Sequence, residues 1–318
     1  MSFSFDAFVT DVFFDGGQAV FALGDGRICW EDGAALAAHD GAVLTAASHP
    51  GGSGVISGGD DGRLVWSRPG AGETLAELPN AWIDALAVGP VSGLVAFAAG
   101  RELHVRDLAD KSFQRRFVHE KSVAGLAFDA KGRRLAAATY GGVALWWAKI
   151  ADQKPAMMRW AGSHVAAAFS LDGRFLISSM QENALHGWRL SDARDMRMGG
   201  YPSKVKSLAF VDGGAWLATA GANGVVLWSF SGADGPMGKQ ATEIGFDDAA
   251  LVTRVAGEGT TLAAGLDDGR VWVCDLKSQV LKPLKSEKGA PVTALVVRGG
   301  RIAWGDEAGE AGVAELSA

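Results

Sequence analysis

The stretch that decides the fold is Ser57-Gly58-Gly59-Asp60-Asp61-Gly62-Arg63-Leu64-Val65-Trp66. It predicts a strand, a tight turn at Asp61-Gly62 and a second strand ending in Trp66, because Gly accepts the positive φ that such a hairpin turn needs. The same phrase recurs at residues 24–30, 139–146, 220–228 and 265–273. A phrase that returns along the whole chain indicates a repeat architecture.

Each repeat opens with a strand that begins at a Val or an Ile after a polar loop. These residues lie 34 to 47 positions apart and are Val9, Val43, Ile83, Val123, Val165, Val205, Val252 and Val292. Two more strands and usually a weaker fourth one follow each of them, while the 3.6-residue period of amphipathic helices is weak throughout. The sequence therefore predicts an all-β chain of eight four-stranded units.

A repeat of about 40 residues with four strands and a Trp in the third strand resembles the WD40 family. The third-strand Trp is present as Trp30, Trp66, Trp146, Trp188 and Trp228. The Asp that follows this Trp in the family is mostly replaced, so the repeats are degenerate. The resemblance covers almost the whole chain and implies a WD40-like β-propeller.

The resemblance also implies a buried network behind each first strand, in which a His meets Ser or Thr, Trp and Asp. In the second repeat this network would consist of His39, Ser57, Asp61 and Trp66. The fourth repeat has His119, Thr139 and Trp146 but no acid at the equivalent turn position. We expect Trp66 and Trp146 to pack between adjacent sheets.

The number of blades follows from the first strands. Eight of them can be counted, which favours eight blades, with seven as the alternative. The last repeat has three strands, and residues 3–8 have the length of a strand that could complete it near residues 313–316. Such closure removes exposed sheet edges. No linker rich in Pro and Ser interrupts the chain, so we expect residues 1–318 to form a single β-propeller domain.

Composition excludes several classes of protein. The net charge of −6 disfavours a nucleic-acid binder or a membrane-surface protein. The two cysteines, Cys29 and Cys274, occupy strand positions and are expected to be buried, without a disulfide framework or a zinc motif. No secretory signal is recognised at the N-terminus and no apolar run is long enough for a membrane span. We expect a cytoplasmic protein.

Catalytic and ligand-binding motifs are not recognised in the sequence. The six histidines fall in different repeats, and the Gly-rich residues 232–239 lack the spacing and the Ser or Thr of a phosphate-binding loop. Among the residues expected at the entrance of a central channel, only Asp84 and Lys206 are charged, which is sparse for acid–base catalysis. We expect no catalytic, cofactor or metal site and no cofactor.

A protein-interaction surface is the function that the sequence favours. The loops before the first strands of repeats three to six carry aromatic and charged residues that would anchor and orient a partner protein. The predicted partner-binding residues are Trp82, Asp84, His164, Tyr201, Lys204 and Lys206. The alternative is a small-ligand-binding or catalytic propeller that uses the channel mouth around Asp84, His164 and Lys206.

Charge is distributed unevenly along the chain. Residues 1–62 contain nine acids and one base, whereas residues 101–134 contain nine bases and five acids. Opposite charges in different sectors would orient a charged partner and raise its association rate. The sequence thus predicts a non-catalytic WD40-type scaffold that binds one or more proteins.

Overall fold

The computed structural model describes residues 1–316. Within them the secondary structure is almost entirely β, with one 3₁₀ helix at Asp212–Gly214, and no helix is long and apolar enough to cross a membrane. The chain divides into two compact units. The middle unit contains residues 24–198, and the terminal unit contains residues 1–23 together with the residues from 199 onward.

The middle unit contains sixteen strands. They are β4 (Arg27–Trp30), β5 (Ala35–Ala37), β6 (Val43–Ser48), β7 (Val55–Gly59), β8 (Arg63–Arg68), β9 (Ala71–Glu77), β10 (Ala85–Val88), β11 (Leu94–Ala99), β12 (Glu102–Asp107), β13 (Gln114–Val118), β14 (Val123–Phe128), β15 (Arg134–Trp147), β16 (Ala156–Phe169), β17 (Phe175–Met180), β18 (Leu185–Arg189) and β19 (Arg194–Met198).

The described part of the terminal unit contains fourteen strands. They are β1 (Ser2–Ser4), β2 (Val9–Asp15), β3 (Gln18–Leu23), β20 (Leu208–Val211), β21 (Trp216–Thr219), β22 (Val225–Ser229), β23 (Thr242–Ile244), β24 (Val252–Glu258), β25 (Thr261–Leu266), β26 (Val271–Asp275), β27 (Lys282–Lys285), β28 (Val292–Arg298), β29 (Arg301–Asp306) and β30 (Glu310–Glu315).

These strands form seven antiparallel sheets, six with four strands and one with six. In the middle unit, β6–β9 and β10–β13 form four-stranded meanders and β14–β19 form the six-stranded sheet. In the terminal unit, β20–β23 and β24–β27 form meanders, and β1 joins β28–β30. The first repeat contributes β2 and β3 to the terminal unit and β4 and β5 to the middle unit. Short turns make neighbours in the chain neighbours in the sheet.

The sheets number seven, which is the alternative count of the sequence analysis, whereas the repeats number eight. The difference arises at β15 and β16, which have 14 residues each: β15 runs through the second and third strands of the fourth repeat, and β16 runs from the last strand of that repeat into the first strand of the fifth. The start of β16 pairs with β15, and its end pairs with β17. A register break between Tyr140 and Gly142 separates the two parts of β15, and opposite it the paired residues of β16 move from Ser163 to Arg159. The fourth and fifth repeats therefore share one sheet.

The N-terminal strand completes the sheet of the last repeat, as predicted. Residues 2–4 pair with residues 312–310, so β1 is shorter than the predicted residues 3–8 and pairs nearer to residue 310. The Met1 amino group donates to the Val313 carbonyl at 2.7 Å, and the rings of Phe3 and Phe5 both pack against Phe21. Gly309 has a φ of +92°, and a Cβ at this turn would collide with the Phe5 carbonyl oxygen.

The predicted strand starts agree closely with the structure. Five strands begin at the predicted residue, and these are Val9, Val43, Val123, Val252 and Val292. Ile83 and Val205 lie just before β10 and β20, and Val165 lies within β16. In repeats three and six the loop side chains precede a shorter first strand, which places the predicted site residues of those loops outside the sheets.

The cores lie where inner strands are covered on both faces. All but the last residue of β11, Leu-Val-Ala-Phe-Ala-Ala, are buried, as expected of a continuous apolar run. Leu103, Phe117 and Trp146 belong to one core cluster of the middle unit. Cys29 and Cys274 are free and buried, as predicted, and burial raises the pKa of the Cys274 thiol to about 11.

Candidate interaction surface

The His network of the second repeat forms around His39, on the loop before β6. Its Nε2 atom lies 2.8 Å from the Ser57 hydroxyl and its Nδ1 atom 3.0 Å from the Asp61 carboxylate. Burial works to raise the pKa of Asp61, but hydrogen bonds from the Arg63 amide and from His39 outweigh it and hold that pKa well below its usual range. Trp66 is outside this network, because its Nε1 donates to the Ser53 carbonyl at 2.7 Å.

The expectation that Trp66 packs between sheets is therefore only partly met. Its ring is half-buried, stacked on His49 at 4.5 Å with the Arg68 guanidinium 4.1 Å from the ring centroid. In the fourth repeat Trp146 is buried as predicted, with 5% of its surface exposed. Its Nε1 donates to His119 Nε2 at 3.1 Å, and its ring stacks on Phe117 at 4.2 Å.

His164 is buried, which corrects its assignment to the partner-binding surface. Its Nδ1 lies 2.7 Å from the Ser178 hydroxyl, and its Nε2 lies 3.1 Å from the Trp160 carbonyl oxygen. Burial lowers the pKa of His164. Because both ring nitrogens are engaged inside the sheet, His164 is also not available to the alternative site at a channel mouth.

Tyr201 is likewise buried and does not offer a surface anchor. Its hydroxyl lies 2.7 Å from the Thr219 hydroxyl and accepts the Trp228 Nε1 hydrogen bond at 2.7 Å. Tyr201 stands four residues before Val205, the same offset that separates His39 from Val43 in the second repeat. That spacing is the signal that would have assigned Tyr201 to the buried network of the sixth repeat.

Trp82 is the exposed aromatic residue that the sequence predicts in the middle unit. It lies on the loop before β10 with 65% of its surface exposed. Backbone hydrogen bonds hold this loop, since Leu78 donates to the Gly62 carbonyl at 2.8 Å and Ile83 to the Gly59 carbonyl at 3.0 Å. The side chain of Trp82 is therefore presented from an ordered loop.

Acidic side chains lie on the loops around Trp82. Asp84 is exposed, and partial desolvation raises the pKa of its carboxyl. Asp60 lies over Gly41 in the neighbouring turn, and Asp40 is exposed and 3.3 Å from Arg63. We call Trp82, Asp84 and Asp60 the Trp82 patch, since Asp60 follows Gly59, whose carbonyl accepts the Ile83 amide; it combines a large aromatic ring with negative charge.

Lys204 and Lys206 lie in the terminal unit, on the segment before β20. Lys206 is exposed and Lys204 half-buried. The backbone of Lys204 lies against Gly221, whose φ is +94°. The predicted residues thus divide between the units, with Trp82 and Asp84 in one and the two lysines in the other, and the predicted common surface stays a prediction.

A further exposed aromatic residue, Trp147, stands where the WD40 family has the Asp that follows the third-strand Trp. Trp147 follows the buried Trp146 and has 52% of its surface exposed. Successive residues of a strand point to opposite faces, so a second Trp beside a buried one is expected to be exposed. That alternation was the signal that could have identified it.

Residues 1–316 contain no group of three or more His, Cys, Asp or Glu side chains arranged to hold a metal ion. The described residues instead offer ordered loops that carry exposed aromatic rings next to charged side chains.

Comparison with known proteins supports the fold. Residues 30–66 match the family model of the WD domain, G-beta repeat. No curated protein matches the chain significantly, whereas 1751 chains of solved structures do.

Two of these structures illustrate the likeness. The computationally designed Ika8 protein has a TM-score of 0.81 and 20% identity, with 98% of each chain covered. The β-propeller domain of Cps50 (Swd1) from Myceliophteria thermophila has a TM-score of 0.66 and 14% identity, with 86% of this chain and 96% of that chain covered. At these identities the likeness concerns the fold, and it confirms the predicted all-β, WD40-like β-propeller.

Proposed function

We propose that this chain is a non-catalytic protein-interaction scaffold that binds a partner protein through the Trp82 patch. WD40 propellers generally mediate interactions between proteins. Fold alone does not assign a function, so the proposal rests on the site. The observation that carries it is the exposure of Trp82 on a loop that backbone hydrogen bonds hold in place.

The chemistry of the patch specifies the partner. A Trp buries a large area at low entropic cost and is enriched among the residues that dominate binding energy. The carboxylates of Asp60 and Asp84 lie on the loops beside it and favour a cationic segment, whose Lys or Arg would also bind the face of the indole ring. We infer a basic segment of a partner protein. Lys204 and Lys206 stay candidate contacts of the terminal unit.

The test begins with wild-type protein immobilised and exposed to a native cell extract. Proteins retained by the wild type are compared with those retained by Trp82→Ala and by Leu171→Ala, which removes an apolar side chain that is 52% exposed on another loop of the middle unit. The expected partner is retained by the wild type and by Leu171→Ala and lost by Trp82→Ala.

Affinity measurements then sharpen the result. Trp82→Ala should weaken binding of the purified partner by at least about 2 kcal/mol, which is a roughly thirtyfold loss of affinity. Asp84→Asn should weaken it less and reduce its salt dependence, because a carboxylate at the rim mainly steers association. Equal binding of the partner by wild type and Trp82→Ala would place the interface elsewhere.

We also infer that the protein works in the cytoplasm. Its two cysteines are free and buried, which suits a reducing compartment, and its net charge of −6 does not favour a membrane surface. A fluorescent fusion imaged in the native cell tests this location, and recovery in a secreted or membrane fraction would contradict it.

A further inference from the structure

A second exposed apolar surface lies in the middle unit, on the loop that joins β15 to β16. We call residues 147–154 the Trp147 loop. Trp147 and Ile150 expose 52% and 50% of their surfaces. Large apolar side chains exposed together, with charged residues around them, mark interaction sites on soluble proteins.

The loop is ordered by a single amide side chain. Gln153 accepts the Trp147 amide hydrogen at 3.1 Å and donates to the carbonyl oxygens of Trp147 and Ile150, both at 2.7 Å. The Ile150 amide also donates to the Trp147 carbonyl at 3.1 Å. The two apolar side chains are thus held on a preformed turn, which lowers the ordering cost of binding.

Positive charge surrounds these side chains. Lys149 and Lys154 belong to the loop itself, and Lys131 and Arg133 lie on the turn before β15, where the Arg133 carbonyl accepts the Ala148 amide at 2.9 Å. Arg115 donates from its Nε to the Lys149 carbonyl. Within residues 1–316, no carboxylate forms an ion pair with Lys131, Arg133 or Lys154.

The carboxylates nearby are fewer and mostly engaged. Asp129 is held by Arg134 at 2.8 Å, and Asp107 lies 3.9 Å from Lys149. Asp152 is exposed on the loop, and the pKa of Asp110 is lowered by hydrogen bonds from Ser112 and by the charge of Lys149. The surface therefore carries an excess of positive charge in a protein whose net charge is −6.

A groove adjoins the loop on the side of Asp107. It has a cavity volume of about 210 Å³. Its apolar lining is formed by Trp66, Leu75 and Leu108, and its polar lining by Glu73, Thr74, Arg106, Asp107 and Lys111. The groove adjoins the loop only at Lys149, because Trp147 points to the face opposite Trp146, and Trp146 packs on Phe117 of the sheet that carries Asp107.

We propose that this surface binds an acidic segment of a partner protein that carries large apolar side chains. The apolar side chains pack on Trp147 and Ile150, and the carboxylates lie against Lys149, Arg133 and their basic neighbours. Two large apolar side chains held on a preformed turn by Gln153 fit the apolar side chains of a protein segment, which favours a peptide over a nucleic-acid backbone. This interface is separate from the Trp82 patch and prefers the opposite charge.

The test uses a phage-displayed library of random dodecapeptides, selected on the wild-type protein and counter-selected on Trp147→Ala. The expected clones combine Asp or Glu with Trp, Phe, Leu or Ile. Anisotropy of a labelled selected peptide should show about thirtyfold weaker binding to Trp147→Ala. Arg133→Glu with Lys149→Glu should weaken it by at least about tenfold, with a smaller salt dependence.

Controls separate this proposal from folding defects and from the proposed function. Phe246→Ala removes an aromatic residue that is 65% exposed in the terminal unit and should leave the peptide affinity unchanged. All variants should unfold within a few degrees of the wild type, because the altered side chains are exposed. Failure of the Trp82 experiment would not change these results, since the two tests use different residues and probes.

Three outcomes would overturn the proposal. The first is the enrichment of no peptide, or of basic or uncharged peptides. The second is equal affinity of the selected peptide for wild type and Trp147→Ala. The third is binding to anionic vesicles or duplex DNA that the same substitutions abolish, with no acidic peptide enriched; this would assign the surface to a lipid or a nucleic acid.

Discussion

The second and fourth repeats start from the same sequence phrase and bury their histidines in different ways. In the second repeat His39 is held between Ser57 and Asp61, and Trp66 lies outside on the half-buried side of β8. In the fourth repeat no acid is present, and His119 instead accepts the indole hydrogen of Trp146. Both imidazole nitrogens of His39 have side-chain partners, whereas His119 is partnered only at Nε2 and its Nδ1 has no hydrogen-bond partner within residues 1–316. The repeat thus specifies a buried polar position but not one set of partners.

The largest difference between the two repeats should appear on truncating their tryptophans. Trp146→Ala removes a buried ring stacked on Phe117 and leaves His119 without its donor, and we expect a loss of about 3–5 kcal/mol in unfolding free energy. Urea denaturation measures this loss. A change below about 1 kcal/mol, within the range of surface substitutions, would contradict the buried placement.

A smaller effect is expected from the network of the second repeat. Ser57→Ala removes the hydroxyl that meets His39 Nε2 and leaves a buried polar atom unsatisfied, at a cost of about 1–3 kcal/mol. Ser67→Ala is the matched control on the next strand, because the Ser67 hydroxyl is buried and has no hydrogen-bond partner within residues 1–316. Ser67→Ala should be neutral or slightly stabilising. Equal losses in the two variants would show that the Ser57 contact contributes nothing specific.

Trp66→Ala should cost less than Trp146→Ala. The Trp66 ring is half-buried, and its indole hydrogen bonds to the carbonyl of an exposed loop, so about 1–2 kcal/mol is expected from the lost apolar area. The 3–5 kcal/mol expected for a fully buried Trp does not apply to it. A loss as large as that of Trp146→Ala would show that the ring is more important to the sheet packing than its exposure indicates.

These contrasts explain what the sequence could predict. The period and the Asp-Gly and Asn-Gly turns depend on local backbone chemistry, so they identified the repeats, most strand starts and the N-terminal strand β1. The orientation of Trp66, the burial of His164 and the sharing of one sheet by repeats four and five depend on register, which a shift of one residue reverses. Register follows from contacts between strands and cannot be read from one strand alone.

The candidate site shows the same division. Trp82 precedes its strand on a loop and is exposed as predicted, because its position in the repeat is not one that the buried hydrogen-bond network occupies. Tyr201 and His164 were predicted as surface anchors from residue type, but each occupies a place where the repeat needs a hydrogen-bonding side chain inside the sheet. Residue type therefore indicated interface chemistry, whereas the position within the repeat decided whether the side chain reaches solvent.

The smallest expected effect separates the two repeats by their pH dependence. Burial lowers the pKa of both His39 and His119, so the unfolded chain binds protons first as the pH falls below about 6.5, and stability is lost there. Of the two histidine networks, only that of the second repeat contains a carboxylate, and the pKa of this residue, Asp61, is lowered in the folded state. The stabilisation that Asp61 contributes is present above the unfolded pKa of about 3.9 and is lost as the pH falls through and below that value.

His119→Gln keeps an acceptor for Trp146 and should flatten the stability profile between about pH 7 and 5, whereas Asp61→Asn should flatten it below about pH 5. Unfolding free energies measured across this pH range test both predictions. A stability profile that Asp61→Asn leaves unchanged below pH 5 would show that the Asp61 carboxylate does not contribute to the pH dependence of stability.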